Sequence, residues 1–273
     1  MQARADARLE LETGLRHALE HGEFRVHFQP ILSLDNGHIS GFEDLVRWER
    51  PGHGLVSPAD FVPVAEETGL IVALGQWVLA ESCRRLRRWQ QYYPRAAGLS
   101  VSVNLSSRQL RHPTLVNDVA RTLRETGVDP ACVTLEITES ALVDNPEATT
   151  RLLHQLKRVG VQLAIDDFGT GYSSLSYLGR LPVDTLEIDR SFVHGLGQNS
   201  RDTAIVREIL QLAGTLQLAT TAEGIETDAQ LATVRRLGGV SGQGFLFARP
   251  LAPDDVDALL AADSGIQSQT RAA

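Results

Sequence analysis

Acidic side chains interrupt several apolar runs of this chain, mostly near the C-terminal end of each run. They are Glu43, Glu136, Asp166, Asp167, Glu187 and Glu223, accompanied by the side-chain amides of Asn104 and Gln243. A carboxylate within an apolar strand costs free energy unless it is paired or bound to a metal. A surface or edge position would explain one such residue, but six acids and two amides on seven runs indicate one shared site.

The types of these side chains indicate which chemistry the site could perform. Carboxylates and a side-chain amide are hard oxygen donors, which suit Mg²⁺ or Mn²⁺ rather than Zn²⁺. None of the eight histidines falls at a proposed ligand position. This many acids favours two divalent cations ~4 Å apart, the arrangement that holds the attacking and leaving oxygens in phosphodiester cleavage.

Two of the acids, Asp166 and Asp167, are adjacent. Successive strand residues point to opposite faces, so both can serve one site only where the strand ends. Gly169 and Gly171 follow at once and can release the chain from strand geometry. The alternative is one inward ligand and one solvated acid, and the sequence leaves it open.

These residues need a fold that brings the ends of many strands together. The chain contains eight β-rich runs, at 24–30, 39–46, 99–105, 132–138, 161–167, 183–189, 217–223 and 243–247. Most are separated by helical stretches, which predicts a parallel sheet of the α/β class. Eight such strands favour a (β/α)8 TIM-like barrel, in which the C-terminal strand ends meet at one mouth.

Turn and cap signals refine this prediction. The first two runs are joined by a turn containing Asn36-Gly37, without a helix, so we expect one antiparallel strand near the N-terminus. Helices are expected to begin at Ser57-Pro58, Asn145-Pro146 and Thr227-Asp228.

The 273 residues suffice for one barrel domain, which we predict for residues 23–262. Residues 1–22 are predicted to form an N-terminal helix. Its apolar face carries Leu11, Leu15, Ala18 and Leu19. Such a helix either packs against the barrel or connects to an upstream domain. The polar segment 263–273 is expected to be disordered.

Charge and hydropathy exclude some classes of partner. The net charge of −8 argues against duplex nucleic acid, which is bound through Lys and Arg, but a small anion remains open if metals supply positive charge. The N-terminus lacks a signal segment, and the longest apolar run, 70–80, is too short to span a bilayer. We expect a cytoplasmic domain without membrane contact, with Cys83 and Cys132 as reduced thiols. A full-length protein could be tethered through a segment absent here.

Seven short motifs are spread along nearly the whole chain, from about Phe24 to Leu251. They are QPI at 29–31, EDL with RW at 43–48, NLS at 104–106, ITES at 137–140, DDFGTGYSSL at 166–175, AEGIET at 222–227 and QGFLFARP at 243–250. Together they resemble the EAL-domain family, bacterial phosphodiesterases that linearise cyclic di-GMP to pGpG. The resemblance implies a (β/α)8 barrel with one antiparallel strand, a homodimer, and room for an upstream sensor or GGDEF domain.

The resemblance also implies roles for individual residues. One Mg²⁺ or Mn²⁺ would be bound by Glu43, Asn104, Glu136 and Asp166, and a second by Asp166, Asp167 and Glu223. The catalytic positions would be Glu43, Asp167, Glu187 and Gln243. Cyclic di-GMP would contact Gln29, Leu45 and Arg47, although a solvated strand end could also explain Arg47. The loop that couples dimerisation to metal binding would contain Phe168, Gly169, Thr170 and Gly171, steadied by Glu139, and would extend to Ser174.

Two positions depart from the family pattern. Asp44 replaces the alanine of the EAL signature, but strand alternation points it away from Glu43. The second is Glu187, which stands where the family has the lysine of a KID motif, held near the catalytic water. The chain's only lysine is Lys157, on a predicted helix, and it is not an obvious substitute.

The second departure changes the charge of the implied site. The five ligand acids and two divalent ions together carry a net charge of −1. A lysine at position 187 would bring the net charge of the site to 0, whereas Glu187 brings it to −2. Because the substrate carries two negative phosphodiesters, both its attraction and the activation of water should weaken. Losing one proton-transfer group costs ~10²–10⁴ in rate. The extra acid could instead hold a metal or act as a base. A slowed phosphodiesterase and a catalytically inactive cyclic di-GMP receptor both remain open.

Two other readings are disfavoured. A barrel with a carboxylate pair could be a glycosidase, but sugar sites generally use aromatic platforms and aromatic residues are only 5% of this chain. Asp-Phe-Gly at 167–169 also occurs in protein kinases, but the upstream Gly-rich loop and strand lysine of a kinase are missing.

Overall fold

A computed structural model describes residues 2–142, 145–171 and 175–262. The strands of these residues are β1 (Phe24–Ser33), β2 (Ile39–Arg50), β3 (Gly54–Val56), β4 (Ser100–Leu105), β5 (Val133–Thr138), β6 (Gln162–Phe168), β7 (Thr185–Ile188), β8 (Ala219–Ala222) and β9 (Ser241–Gly242). The helices are α1 (Gln2–His21), α2 (Pro58–Thr68), α3 (Leu70–Tyr92), α4 (Ser107–Leu110), α5 (Leu115–Thr126), α6 (Pro146–Val159), α7 (Leu175–Leu178), α8 (Arg190–His194), α9 (Ser200–Leu216), α10 (Asp228–Leu237) and α11 (Pro253–Ala261). Short 3₁₀ turns lie at Pro94–Ala96, Pro130–Cys132 and Glu139–Leu142.

Eight strands form a closed ring in the order β1-β9-β8-β7-β6-β5-β4-β2, and β2 pairs back onto β1. Strand β1 runs antiparallel to both of its neighbours, whereas the other pairs within the ring are parallel. The unpredicted strand β3 pairs with the far end of β2, outside the ring. The predicted (β/α)8 barrel with one antiparallel strand near the N-terminus is therefore confirmed.

The predicted helix starts are confirmed at α2, α6 and α10. The side chains of Asn145 and Thr227 each accept a hydrogen bond from the backbone N–H three residues further on, which caps α6 and α10. Ser57 precedes α2 but its side chain makes no such hydrogen bond. Of the two predicted signals for the start of α2, only the first-turn proline, Pro58, is confirmed.

The eighth predicted strand, 243–247, is wrong in position. The strand is β9, two residues upstream, and the chain then turns. At the turn Gly244 lies so close to Ile225 that a Cβ on the glycine would be 2.1 Å from the carbonyl oxygen of Ile225. The apolar residues that suggested a strand include Phe247, which is buried within this turn.

Helix α1 covers most of the predicted N-terminal segment and packs on the hydrophobic core. Leu15 and Ala18 are fully buried there, and Leu11 and Leu19 are partly buried beside them. Its role as a connector remains a prediction, and the tail 263–273 lies outside the described residues. Among the helices that the structure describes, none combines the length and apolar character needed to cross a membrane.

Candidate functional site

The strand register places the predicted site residues on one face of the barrel wall. Side chains that are level in neighbouring strands, or two apart in one strand, share a face. Glu43 is level with Gln29 and Ser102, and Asn104 is level with Glu136. Continuing this pairing around the ring gives the shared set Gln29, Glu43, Leu45, Arg47, Asn104, Glu136, Asp166, Glu187, Glu223 and Gln243.

The opposite face points to the surrounding helices. Asp44 accepts a hydrogen bond of 2.7 Å from Ser82 Oγ on α3, and both residues are buried. Asp44 therefore points away from Glu43, as strand alternation predicted. The shared set accordingly points into the barrel.

Two side-chain amides link the acids of the ring. The amide nitrogen of Asn104 donates to Glu43 Oε1 at 2.9 Å. The amide nitrogen of Gln243 donates to Glu43 Oε2 at 2.8 Å and to Glu223 Oε1 at 3.2 Å. These bonds fix the Glu43 carboxylate from both sides and connect β2, β4 and the segments after β8 and β9.

Asp166 and Asp167 both reach the site, through a distortion of β6 that differs from the expected one. The strand continues to Phe168, but its pairing with β7 is irregular between Ile165 and Phe168. Asp167 itself has a left-handed backbone, with φ of 54°, which a non-glycine residue seldom adopts. The backbone thus leaves regular strand geometry at Asp167, two residues before Gly169. The backbone N–H of Asp167 donates to Asp166 Oδ1 at 2.6 Å.

The site contains buried oxygen atoms that suit a cation. Among the described residues, Glu136 Oε2, Glu187 Oε2 and Gln243 Oε1 are buried without a hydrogen-bond partner. One oxygen from each of Asp166, Glu187 and Glu223 lies within 4.8 Å of the other two. An all-oxygen donor set with unpartnered buried atoms fits Mg²⁺ or Mn²⁺.

Burial and mutual repulsion make the acids of the metal-free site hard to ionise. Burial, with the charge of Glu136 second, raises the pKa of Glu187 well above its usual range. Burial and nearby carboxylates do the same to the pKa values of Glu136 and Glu223. Burial raises the pKa of Asp166, and of Asp167, to about 6. A bound cation would offset this repulsion and favour the ionised forms.

The predicted loop is anchored where β6 ends. Glu139 is 3% exposed, and its Oε2 accepts hydrogen bonds from the backbone N–H groups of Gly169 at 3.0 Å and Gly171 at 3.1 Å. Thr170 Oγ1 donates to the carbonyl of Asp167 at 2.9 Å. Glu139 therefore ties the loop after β6 to the end of β5. Residues 172–174 lie outside the described part of the chain.

Two of the residues predicted to contact substrate, Gln29 and Leu45, line a pair of adjoining cavities that share Glu43 and Leu45. One, of about 370 Å³, is mostly apolar, and the other, of about 310 Å³, includes Gln29 and Asp167. Arg47 lies close enough to Glu43 to lower its pKa, although burial raises that pKa more. This proximity argues against a merely solvated strand-end charge for Arg47.

Sequence reasoning gave no site role to six residues that line the second cavity: Asp189, Arg190, Gly224, Glu226, Gly244 and Phe245. Asp189 follows Glu187 by two positions, so strand alternation could have identified it. Burial raises the pKa of Asp189, but hydrogen bonds from Ser191 outweigh this and leave the pKa below its usual value. Phe245 is 48% exposed and lies in the turn after β9, not within the strand that was predicted at 243–247.

Lys157 does not replace the lysine that the family resemblance implies at position 187. Its Nζ donates to Asp184 Oδ2 at 2.7 Å and to Gln162 Oε1 at 3.2 Å. Gln162 begins β6, whereas Asp166 lies near the other end of that strand. The single lysine is thus held at the opposite end of the barrel from the site.

The EAL-domain profile matches residues 12–250. The chain belongs to the EAL-domain family. This EAL domain is 45% identical over 261 residues to the bifunctional diguanylate cyclase/cyclic di-GMP phosphodiesterase MucR of Pseudomonas aeruginosa, covering 96% of the present chain and 38% of MucR. It is 38% identical over 251 residues to the cyclic di-GMP phosphodiesterase PdeR of Escherichia coli K12, covering 92% of this chain and 37% of PdeR. The EAL domain therefore spans less than half of either relative.

Solved structures extend this similarity to the whole barrel. The EAL domain matches the PaMucR phosphodiesterase in complex with c-di-GMP with a TM-score of 0.87 at 45% identity, covering 90% of this chain and 99% of that one. It matches the FimX EAL domain of Pseudomonas aeruginosa bound to c-di-GMP with a TM-score of 0.80 at 27% identity, covering 89% and 96%. Both of these structures contain c-di-GMP.

Proposed function

We propose that this EAL domain is a metal-dependent phosphodiesterase that hydrolyses cyclic di-GMP to linear pGpG, at a rate lowered by Glu187. The observation that carries the proposal is the inward ring of carboxylates and amides at the carboxyl ends of seven barrel strands. The phosphodiesterases MucR and PdeR, which are similar to this chain, support the choice of substrate.

Two divalent cations fit the oxygen donors of the ring. We assign to one Glu43, Asn104, Glu136 and Asp166, and to the other Asp166, Asp167 and Glu223. Such ions, when bound, lower the pKa of a coordinated water and offset phosphodiester charge. The chain itself holds the donors in place, because Gln243 joins two of the carboxylates and Asn104 orients one of them.

The adjoining cavities support an elongated ligand that carries both apolar faces and phosphates. The larger cavity is lined by aliphatic residues such as Val62 and Ile71, which suit the face of a base. The smaller is lined by three acids of the ring, Glu43, Asp167 and Glu223. Arg190 also lines it, and Arg47 lies close to Glu43. We assign to these two guanidinium groups the attraction of phosphate oxygens.

Glu187 supports one alternative, a receptor that binds cyclic di-GMP without turnover. Its carboxyl is 3% exposed among the acids of the ring, where a positive group would have favoured substrate and catalytic water. The fully formed donor ring favours retained catalysis, so the receptor ranks second.

Product analysis separates the two functions. Purified protein is incubated with Mn²⁺ and cyclic di-GMP, pGpG is followed by chromatography, and binding is measured in parallel. We expect slow formation of pGpG that a chelator or Asp166→Asn abolishes. Asp44→Asn, which removes a buried acid facing away from the ring, should leave the rate unchanged. Binding without product would support the receptor instead.

The assembly and setting of the domain are also part of the proposal. We infer a homodimer in which the Glu139-anchored loop lies near the interface, in a cytoplasmic signalling protein. The 38% coverage of bifunctional MucR supports a further sensor or GGDEF domain in the full-length protein. Light scattering of the purified domain tests the dimer, and a monomeric mass at assay concentration would contradict it.

A further inference from the structure

Glu187 has no ligand role in the two-ion assignment, yet it lies within the ring. It extends inward from β7 and is 3% exposed, and its Oε2 is buried without a hydrogen-bond partner. A carboxylate oxygen buried in this way is costly unless something positive or a proton meets it. The sequence on either side, Leu186 and Ile188, is apolar and fully buried, so the strand cannot turn Glu187 outward.

The neighbours of Glu187 indicate what meets it. One of its oxygens lies within 4.8 Å of oxygens from Asp166 and Glu223. Oxygen ligands ~2.1 Å from one Mg²⁺ are ~3–4 Å apart in octahedral geometry. The three carboxylates are therefore near the separation that a shared cation requires, and small side-chain rotations would complete it.

We propose that Glu187 is a direct ligand of a divalent cation that it shares with Asp166 and Glu223. The cation is of the hard, oxygen-preferring class, Mg²⁺ or Mn²⁺, because the three ligands are carboxylates. This inference rests on the proposed metal site and adds to it a ligand at the position where the family resemblance implies a lysine. A lysine there would repel the same cation.

The extra ligand has two consequences. It strengthens retention of the cation in the absence of nucleotide, because three anionic oxygens share one ion. It also fills a coordination position that water or a phosphate oxygen would otherwise take, which gives a structural reason for slow hydrolysis.

Two variants of Glu187 separate ligation from general electrostatic attraction. Glu187→Gln removes the charge, whereas Glu187→Asp keeps the charge but withdraws the oxygens by one methylene. Asp44→Asn is the control, since Asp44 is also a buried acid of the barrel wall but points to Ser82. Mn²⁺ binding to each folded protein is measured by equilibrium dialysis with electron paramagnetic resonance, without nucleotide, beside the metal-free melting temperature.

We expect both Glu187 variants to bind the affected Mn²⁺ more than about tenfold more weakly, a loss on the scale of disrupting the support of a metal ligand. The control should stay within twofold of the unmodified protein. Unchanged affinity in Glu187→Gln would overturn the inference, and so would full affinity in Glu187→Asp, because charge alone would then suffice. The Mn²⁺-binding measurement does not depend on turnover. An absence of pGpG formation would therefore contradict the proposed function without contradicting this inference.

Discussion

At the residue scale, the slow reaction that we propose depends on Glu187. Its five fellow acids have ligand roles in the family resemblance, whereas Glu187 adds negative charge and fills space near the expected catalytic water. Both effects oppose attack on a dianionic substrate. The slow reaction that we propose is therefore attributed to one side chain.

Glu187→Lys tests this attribution. The variant restores the positive group that the resemblance implies, so pGpG formation at saturating Mn²⁺ should rise by about 10²–10⁴-fold. Glu187→Gln, which removes the charge without reversing it, should give a smaller gain. Initial rates of pGpG formation, measured by chromatography, test this prediction. Equal rates for Glu187→Lys and the unmodified protein would mean that a feature other than Glu187 limits turnover.

Residue types alone identified most of the ring. A charged side chain inside an apolar strand stands out in any sequence, and Glu43, Glu136 and Glu223 were found on that basis. Asp189 was missed because Ser191 holds its carboxyl at the start of α8, a position that also suits a simple helix cap. Asp189 does both, because it caps α8 and also lines the second cavity.

At the element scale, the end of β6 determines how two adjacent acids reach one site. The left-handed backbone at Asp167 carries local strain, which surrounding contacts must offset. Glu139 supplies two of these contacts through Gly169 and Gly171. The 3₁₀ turn that contains Glu139 thus holds the end of the neighbouring strand that carries Asp166 and Asp167.

Glu139→Ala should destabilise the domain by about 1–3 kcal/mol, because it removes the acceptor of two part-buried hydrogen bonds from backbone N–H groups. It should also weaken Mn²⁺ binding by releasing Asp167. Urea unfolding and Mn²⁺ dialysis measure the two effects. Glu125→Ala, on the exposed surface of α5, is the control and should change the free energy of unfolding by less than about 0.5 kcal/mol. Equal stability of the two variants would show that Glu139 does not anchor the loop.

Local sequence signals predicted seven of the eight ring strands close to their observed positions, but they failed for β9. That strand is two residues long, and its place depends on parallel pairing with Thr221 and Ala222, which are about twenty residues away in sequence. The aromatic run after it favours a strand by composition alone. The close approach of Gly244 to Ile225 overrides this preference, and such contacts are not visible in a local pattern.

At the scale of the whole molecule, the barrel concentrates buried acids at one end. Folding favours their protonated forms, because burial raises the pKa values of Asp166 and Asp167 to about 6 and that of Asp44 to about 8. A raised pKa gives stability that is complete below the unfolded value of about 4 and is lost as the pH rises through the folded value. Burial lowers the pKa of His27, so its contribution to stability is lost as the pH falls below about 6.5. His27 therefore opposes the loss of stability with rising pH only in the acidic range.

The metal-free protein should therefore lose stability between pH 5 and about pH 8, while Mn²⁺ should restore more of it at each higher pH. Melting temperatures measured with Mn²⁺ and with a chelator across this range test the prediction. Asp166→Asn should flatten the metal-free curve and reduce the Mn²⁺ effect. A metal-free melting temperature that rises steadily over the same range would contradict the account of the ring.

We propose that the acids and amides of the barrel mouth, with bound cations, support hydrolysis of cyclic di-GMP. The most direct measurement is a single-turnover experiment, with enzyme in excess over cyclic di-GMP and Mn²⁺ saturating, in which chromatography follows conversion over hours. The account predicts complete, slow conversion to pGpG, which a chelator prevents. Cyclic di-GMP that stays bound and is recovered intact would contradict it.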